Sequence, residues 1–384
     1  MANISKIFKA TQKDVVLLDG GLGTTLEDIF HVDISSPVWS AKPIDKDPEV
    51  VIQAHLQFLR AGARVIDTAS YQAASSTFGR AGYSLTEAKL LMRKSVGLAG
   101  EARRRFVEES DGKNDVDVKI ALSLGPFGAT LLRPHEFDGF YPPPYGPQAY
   151  DANGTNRNAF TQEEKVEEVA SMDMLTDFHL DRLRVFSEDW ETWAGIDFVV
   201  FETVPLAREI EAVRRAMSRL RQDPIPSLDW KPWWISTVYP GGQFPETARP
   251  GSGNLTVQDV VTALFRDAAG YEPPDAFGVN CTVLEHVATV VEDASRAITA
   301  DISRKDEMPW LFLKPNGGQM YDVSTRKWGA KEHTGEWVDG LKVVVQSANA
   351  AGVWGGIMVG GCCKTGPEDI YALAGALGSD SSTV

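Results

Sequence analysis

Eight short apolar runs, separated by helical patterns along the whole chain, constrain what this sequence can fold into more than any other feature. They cover residues 15–19, 64–69, 118–124 and 198–202 in the first half, and 233–239, 277–281, 310–314 and 353–359 in the second. Each is rich in β-branched and aromatic residues, which is the signature of a strand. Their hydrophobicity is continuous rather than alternating, as suits parallel strands covered by helices on both faces. Between them, Leu206, Ile210, Val213 and Met217 are stepped by threes and fours, placing one apolar stripe on one helix face. Asp47 before Pro48 and Glu49 predicts a helix start. Thr365 and Glu368 have capping-box spacing ahead of Ile370, Leu373 and Leu377. Eight strand and helix alternations predict an α/β protein, a closed (β/α)8 TIM barrel in preference to an open doubly wound sheet. No repeat, heptad run or low-complexity linker divides the chain, so one domain over residues 1–384 is expected.

The net charge of −15, with no concentrated basic run, argues against nucleic acid and anionic lipid as partners. Residues 1–14 are polar and carry no secretory signal pattern, and no apolar run is long enough to span a bilayer. A cytoplasmic protein is expected, as a monomer or weak homo-oligomer. Three cysteines in 384 residues make no disulfide framework, and an intracellular setting keeps them reduced. Residues 127–161, rich in proline, glycine and aromatics around Tyr141-Pro142-Pro143-Pro144-Tyr145, form a long loop after the third strand. In a barrel it lies on the face where active sites are built, either closing over a ligand or packed for its own sake.

Cys281 closes the sixth candidate strand, while Cys362 and Cys363 close the eighth. In a closed barrel both strand ends share one face, so residues distant in sequence can converge on one metal ion. Three thiolates suit zinc, which prefers tetrahedral sulfur and nitrogen ligands and keeps a fourth position open in catalytic sites. Neighbouring strand residues point to opposite faces, so using both Cys362 and Cys363 requires an irregular backbone, for which Gly360 and Gly361 supply freedom. The competing readings are small buried hydrophobes and a strained disulfide between the neighbouring pair.

Other strand ends are polar too. Asp19-Gly20-Gly21-Leu22-Gly23-Thr24 lacks both a dinucleotide fingerprint and a P-loop lysine. It reads either as a structural turn or as an anion-binding turn whose amides grip a carboxylate while Asp19 accepts from an ammonium group. Glu202 follows an apolar run, and a buried carboxylate needs a fixed cation or a cationic ligand. Asp67-Thr68-Ala69-Ser70-Tyr71-Gln72 ends the second strand and Lys314-Pro315-Asn316 the seventh. Tyr71, Phe127 and Tyr141 offer aromatic faces to an onium cation, or simply pack.

In their order along the chain, these motifs resemble the zinc-thiolate family of homocysteine S-methyltransferases, which also includes betaine-homocysteine methyltransferase. The anchors are Asp19-Gly20-Gly21, Thr68-Ala69-Ser70-Tyr71-Gln72, Gly125-Pro126-Phe127-Gly128-Ala129, Phe201-Glu202-Thr203, Gly278-Val279-Asn280-Cys281 and Gly360-Gly361-Cys362-Cys363. The resemblance implies Zn2+ held by Cys281, Cys362 and Cys363, with homocysteine completing the coordination and a sulfonium, S-methylmethionine or S-adenosylmethionine, donating the methyl group. It implies that Asp19 and Glu202 hold the acceptor's amino group, Gly20 and Gly21 its carboxylate, with Tyr71 lining the site and Asn280 supporting the metal. Selenocysteine methylation and a non-catalytic zinc or redox-sensing barrel are the alternatives. Phe127 and Lys314 depart from the family pattern, which places tyrosine at both positions, and neither is expected to touch the cysteines.

Overall fold

Each of the eight apolar runs overlaps a strand in the computed structural model, which describes residues 4–8, 15–33, 41–110, 117–223, 229–300, 308–318, 321–322, 327–328 and 334–378. The strands are β1 (Val15–Leu17), β2 (Val65–Asp67), β3 (Lys119–Leu124), β4 (Phe198–Val204), β5 (Trp233–Thr237), β6 (Ala276–Asn280), β7 (Trp310–Lys314) and β8 (Ile357–Val359). All pair in parallel, in the order β1-β8-β7-β6-β5-β4-β3-β2. The ring closes between β1 and β2. There Leu18 bridges Val65, the Arg64 amide donates to the Leu17 carbonyl at 2.8 Å and the Asp19 amide to that of Val65 at 3.1 Å. This is the expected (β/α)8 barrel. A short antiparallel ribbon, Tyr321–Asp322 with Lys327–Trp328, is added after β7.

The inward faces explain where chemistry can sit. Leu18, Val65, Ala121, Phe198, Val200, Trp234, Ala276, Trp310, Phe312 and Met358 form an apolar plug inside the ring. The helix Ile4–Phe8 covers the mouth where the strands begin, with the Phe8 ring 5.4 Å from Phe198 and 6.0 Å from Trp310. Of the polar stretch 1–14, residues 1–3 and 9–14 lie outside the described residues. Two positions further along the same inward faces, where strand alternation repeats, stand Asp67, Ser123, Glu202, Ser236 and Lys314, all buried. Apolar filling therefore gives way to a polar ring at the end where barrel enzymes place their sites.

Helices cover the outside. Pro48–Arg60 starts as expected after Asp47, and Ala207–Gln222 buries Ile210, Val213 and Met217 against the strands. The helix Pro367–Leu377 corrects the capping expectation. Its N-cap is Gly366, whose amide donates to the Asp369 carboxylate at 2.8 Å, while the Thr365 hydroxyl donates to the Cys362 carbonyl at 2.5 Å. Thr365 belongs to the cysteine loop. The run 353–359 is also shortened to Ile357–Val359, and just before it a side chain on Gly356 would strike the Trp310 ring. Among the described residues no helix is long and apolar enough to cross a membrane.

Residues 127–161 pack against the helices Lys165–Ser187 and Ala207–Gln222 beside the barrel's open end. The Phe127 ring stacks on Tyr145 at 3.9 Å and meets Tyr141 edge-on at 5.3 Å, in a cluster with Leu175 and Leu206. Buried Glu209 fastens this cluster from below. It accepts from the Phe127 amide at 2.7 Å, the Tyr141 hydroxyl at 2.6 Å and His179 Nε2 at 3.0 Å. Asn158 ties the far end of the loop to the Asp138 and Pro245 carbonyls at 2.7 and 2.8 Å. Phe127 and Tyr141 therefore do not offer faces to a ligand; both are spent on holding the loop.

Candidate active site

Cys281, Cys362 and Cys363 converge at the open mouth, with their sulfur atoms all within 4.8 Å of one another. All three are free thiols, so the disulfide reading of the neighbouring pair is not what the chain forms. Gly360 and Gly361 do not adopt the left-handed conformation; other residues around the site do. Among the described residues four non-glycines have positive φ, and three surround this site: Thr203 (61°), Cys281 (49°) and Lys364 (61°). Such conformations cost on the order of 1–3 kcal/mol each and persist where surrounding structure enforces them. Gly361 is small for another reason. A Cβ there would collide with the Thr365 side chain, which folds back across the cysteine loop.

Gly20 and Gly21 answer to the same packing. A Cβ on Gly21 would strike the Cys362 carbonyl, and one on Gly20 the Thr365 carbonyl. The Gly21 amide donates to the Thr365 carbonyl at 2.9 Å, so it is already used. The Thr24 hydroxyl accepts from the Lys364 amide at 2.9 Å, and the Lys364 ammonium meets Asp28 at 2.7 Å. The glycine turn is thus a bracket for the cysteine loop, and of its two amides only that of Gly20 is left without a described partner.

Asn280 supports Cys281 through Thr203. Its Oδ1 accepts from the Thr203 amide and the Ser236 hydroxyl, both at 2.8 Å, and its Nδ2 donates to Thr203 Oγ1 at 2.8 Å. Thr203 Oγ1 in turn donates to Cys281 Sγ at 3.9 Å. Hydrogen bonds from Cys281 and Cys363, helped by the nearby Lys314 charge, hold the Cys362 thiol well below its ordinary pKa. Tyr71 lies close by. Burial, reinforced by Glu136 and Cys281, keeps its phenol well above its usual range. Buried Arg182 fixes the Tyr71 backbone by donating to its carbonyl at 3.0 Å and to that of Gly125 at 2.7 Å.

The acidic side of the site differs most from expectation. Asp19 is fully buried; Oδ1 accepts from the Lys314 ammonium at 2.8 Å and Oδ2 from the Asp67 amide at 2.8 Å. Lys314 also pairs with Asp67, and its carbonyl accepts from the Cys281 amide at 3.1 Å. Lys314 is therefore central, against the expectation that it stands clear of the cysteines. Burial opposes its charge, but Asp19, Asp67 and Glu202 outweigh burial and hold its pKa well above the ordinary value. Burial lifts Asp19 to about 7, with Lys314 opposing. Burial, with Asp67 and Cys362 adding, lifts Glu202 to about 8. Glu202 accepts from Ser123 and has no ion-pair partner among the described residues.

Glu136, on the long loop, carries no signal in the sequence that would single it out. Its Oε2 is buried without a hydrogen-bond partner, and burial lifts its pKa to about 7. A carboxyl raised in this way costs nothing below its unfolded pKa, progressively more as pH rises toward 7, and a constant amount above that. Glu136→Gln is expected to stabilise the fold by up to about 3 kcal/mol at pH 8 and by a small part of that at pH 5. Urea unfolding at the two pH values checks this, and equal effects at both would refute it.

A model of the family described as homocysteine S-methyltransferase matches residues 16–377. A selenocysteine Se-methyltransferase of Brassica oleracea var. italica is 29% identical, over 93% of this chain and 87% of its own length. Homocysteine S-methyltransferase 2 of Zea mays is 30% identical, over 93% of this chain and 88% of its own. The crystal structure of the homocysteine methyltransferase MmuM from Escherichia coli, in its metallated form, superposes with a TM-score of 0.64 at 26% identity, covering 94% of this chain and 96% of that one.

Proposed function

The chain belongs to the homocysteine S-methyltransferase family, and from that premise we propose a zinc-dependent transfer of methyl from S-methylmethionine or S-adenosylmethionine to homocysteine, forming methionine. One observation carries the zinc assignment: three sulfurs from two strand ends lie within 4.8 Å of one another at the barrel mouth. A tetrahedral zinc with bonds of about 2.3 Å sets its sulfur ligands about 3.8 Å apart, so the cluster fits three ligands and leaves the fourth position for the acceptor. Zinc held by Cys281, Cys362 and Cys363 would supply a Lewis acid that lowers the acceptor thiol's pKa, so that near neutral pH the thiol would give its proton to water and be available as a thiolate.

The chain's own residues then hold and align. Asn280 and Thr203 orient Cys281, as supporting hydrogen bonds around metal ligands do. Glu202, a buried carboxyl among anions, gains from an incoming ammonium and takes the acceptor's amino group. The Gly20 amide is left for its carboxylate, and Tyr71 walls the pocket. Asp19 and Gly21 act one layer back, by fixing Lys314 and the cysteine loop. The acceptor sulfur forms its bond to the methyl carbon as the donor's carbon–sulfur bond breaks. The electron pair stays on the departing thioether, which leaves neutral, so the chain has to provide alignment and no general acid. Residues 1–384 act in this reading as one homocysteine-binding barrel domain.

Similarity to a selenocysteine Se-methyltransferase favours selenocysteine as a second acceptor at the same site. The deciding assay offers zinc-loaded enzyme homocysteine or selenocysteine with each sulfonium donor. Methionine is expected from homocysteine with at least one donor, with turnover lost on chelation and regained with zinc. Undiminished turnover by chelator-stripped protein would exclude zinc dependence, and no methionine with either donor would exclude the donor assignment.

A further inference from the structure

Lys314 ends β7 on the inward face, two residues beyond Phe312, and its ammonium crosses the barrel mouth to the seam between β1 and β2. It is 3% exposed and meets Asp19 at 2.8 Å and Asp67 more closely still. Asp19 is 0% exposed, with both oxygens occupied, so a ligand in the mouth cannot reach it past Lys314. Two carboxylates buried side by side need a cation, and here the chain carries its own. We propose that Lys314 is a specificity-determining residue that occupies, at Asp19 and Asp67, the position of an acceptor's ammonium group, leaving Glu202 as the one of the three carboxylates that Lys314 does not bond.

This rests on the thiol-methylation reading above and specifies how the acceptor is chosen. A site whose buried polar groups all await a substrate's amino group rejects an acceptor lacking it by about 10⁴ or more, because those groups are left unpaired. With Lys314 in place, loss of the acceptor's amino group unpairs Glu202 alone. The zinc-loaded full chain is therefore expected to prefer homocysteine over 4-sulfanylbutanoate, the same thiol acid without its amino group, by no more than about a hundredfold in kcat/KM.

Lys314→Met opens Asp19 and Asp67 to the acceptor, and the preference is expected to rise at least about tenfold and to fall back when methylammonium is added. The preference is a ratio within one preparation, so partial unfolding of the variant does not alter it. A preference near 10⁴ in the parent enzyme overturns the proposal without any variant. An unchanged or reduced preference in Lys314→Met also overturns it, since a structural lysine, or one that binds the acceptor's carboxylate, affects both acceptors alike. If the parent methylates neither thiol, the thiol-methylation reading falls and this proposal with it. If it methylates both and the preference behaves otherwise, only the proposal falls.

Discussion

Serine in place of Cys281 is expected to abolish methyl transfer and tight zinc binding together while leaving the barrel folded. Losing a supporting hydrogen bond around a metal ligand costs roughly 10–100-fold in affinity or activity, and removing one of three ligands costs more. The chain concentrates much at this position. Cys281 is held at φ 49°, its sulfur accepts from Thr203, and its amide closes onto the Lys314 carbonyl. Serine keeps the backbone contacts, so the variant separates the sulfur's chemistry from the fold. Zinc content by metal analysis, methionine formation and a thermal melt are read on one sample. Normal turnover in a folded Cys281→Ser protein would rule out the three-sulfur site.

Glu209→Ala, in the helix Ala207–Gln222, is expected to be strongly destabilising through the long loop that Glu209 fastens. Glu209 is fully buried and accepts from three donors, the Phe127 amide, the Tyr141 hydroxyl and His179 Nε2. Each donor left buried and unpaired costs about 1–3 kcal/mol, so a total near 4 kcal/mol is expected. Chemical denaturation measures it, and a loss under about 1 kcal/mol would show that the clamp is not what holds the loop.

The eight strands were legible because each apolar run is covered on both sides and reads as continuous hydrophobicity. The same continuity hides which residues face inward, and that is where the sequence reading fell short. Trp310, Phe312 and Lys314 share one face of β7, as do Val65 and Asp67 on β2 and Val200 and Glu202 on β4. Counting by twos back from the strand ends would have placed Asp67 and Lys314 beside Glu202. The cysteines needed no such parity, since strand-end position alone brings them to one mouth. The use of the Gly21 amide by Thr365 and the fastening of Tyr141 to Glu209 join residues 344 and 68 positions apart, and no local pattern encodes either.

The closure of the ring has a bearing on how the chain is made. β1 pairs with β8, Val15 opposite Ile357, and the glycine turn that follows β1 is bracketed against the cysteine loop that follows β8. The barrel's first strand therefore waits for its last to supply one of its two neighbours. Contacts of such long sequence separation form late and slow folding. A nascent chain interrupted before residue 357 is expected to expose an unpaired edge beside an unfinished seam, a state for chaperones to hold, and to bind no zinc until the last strand arrives.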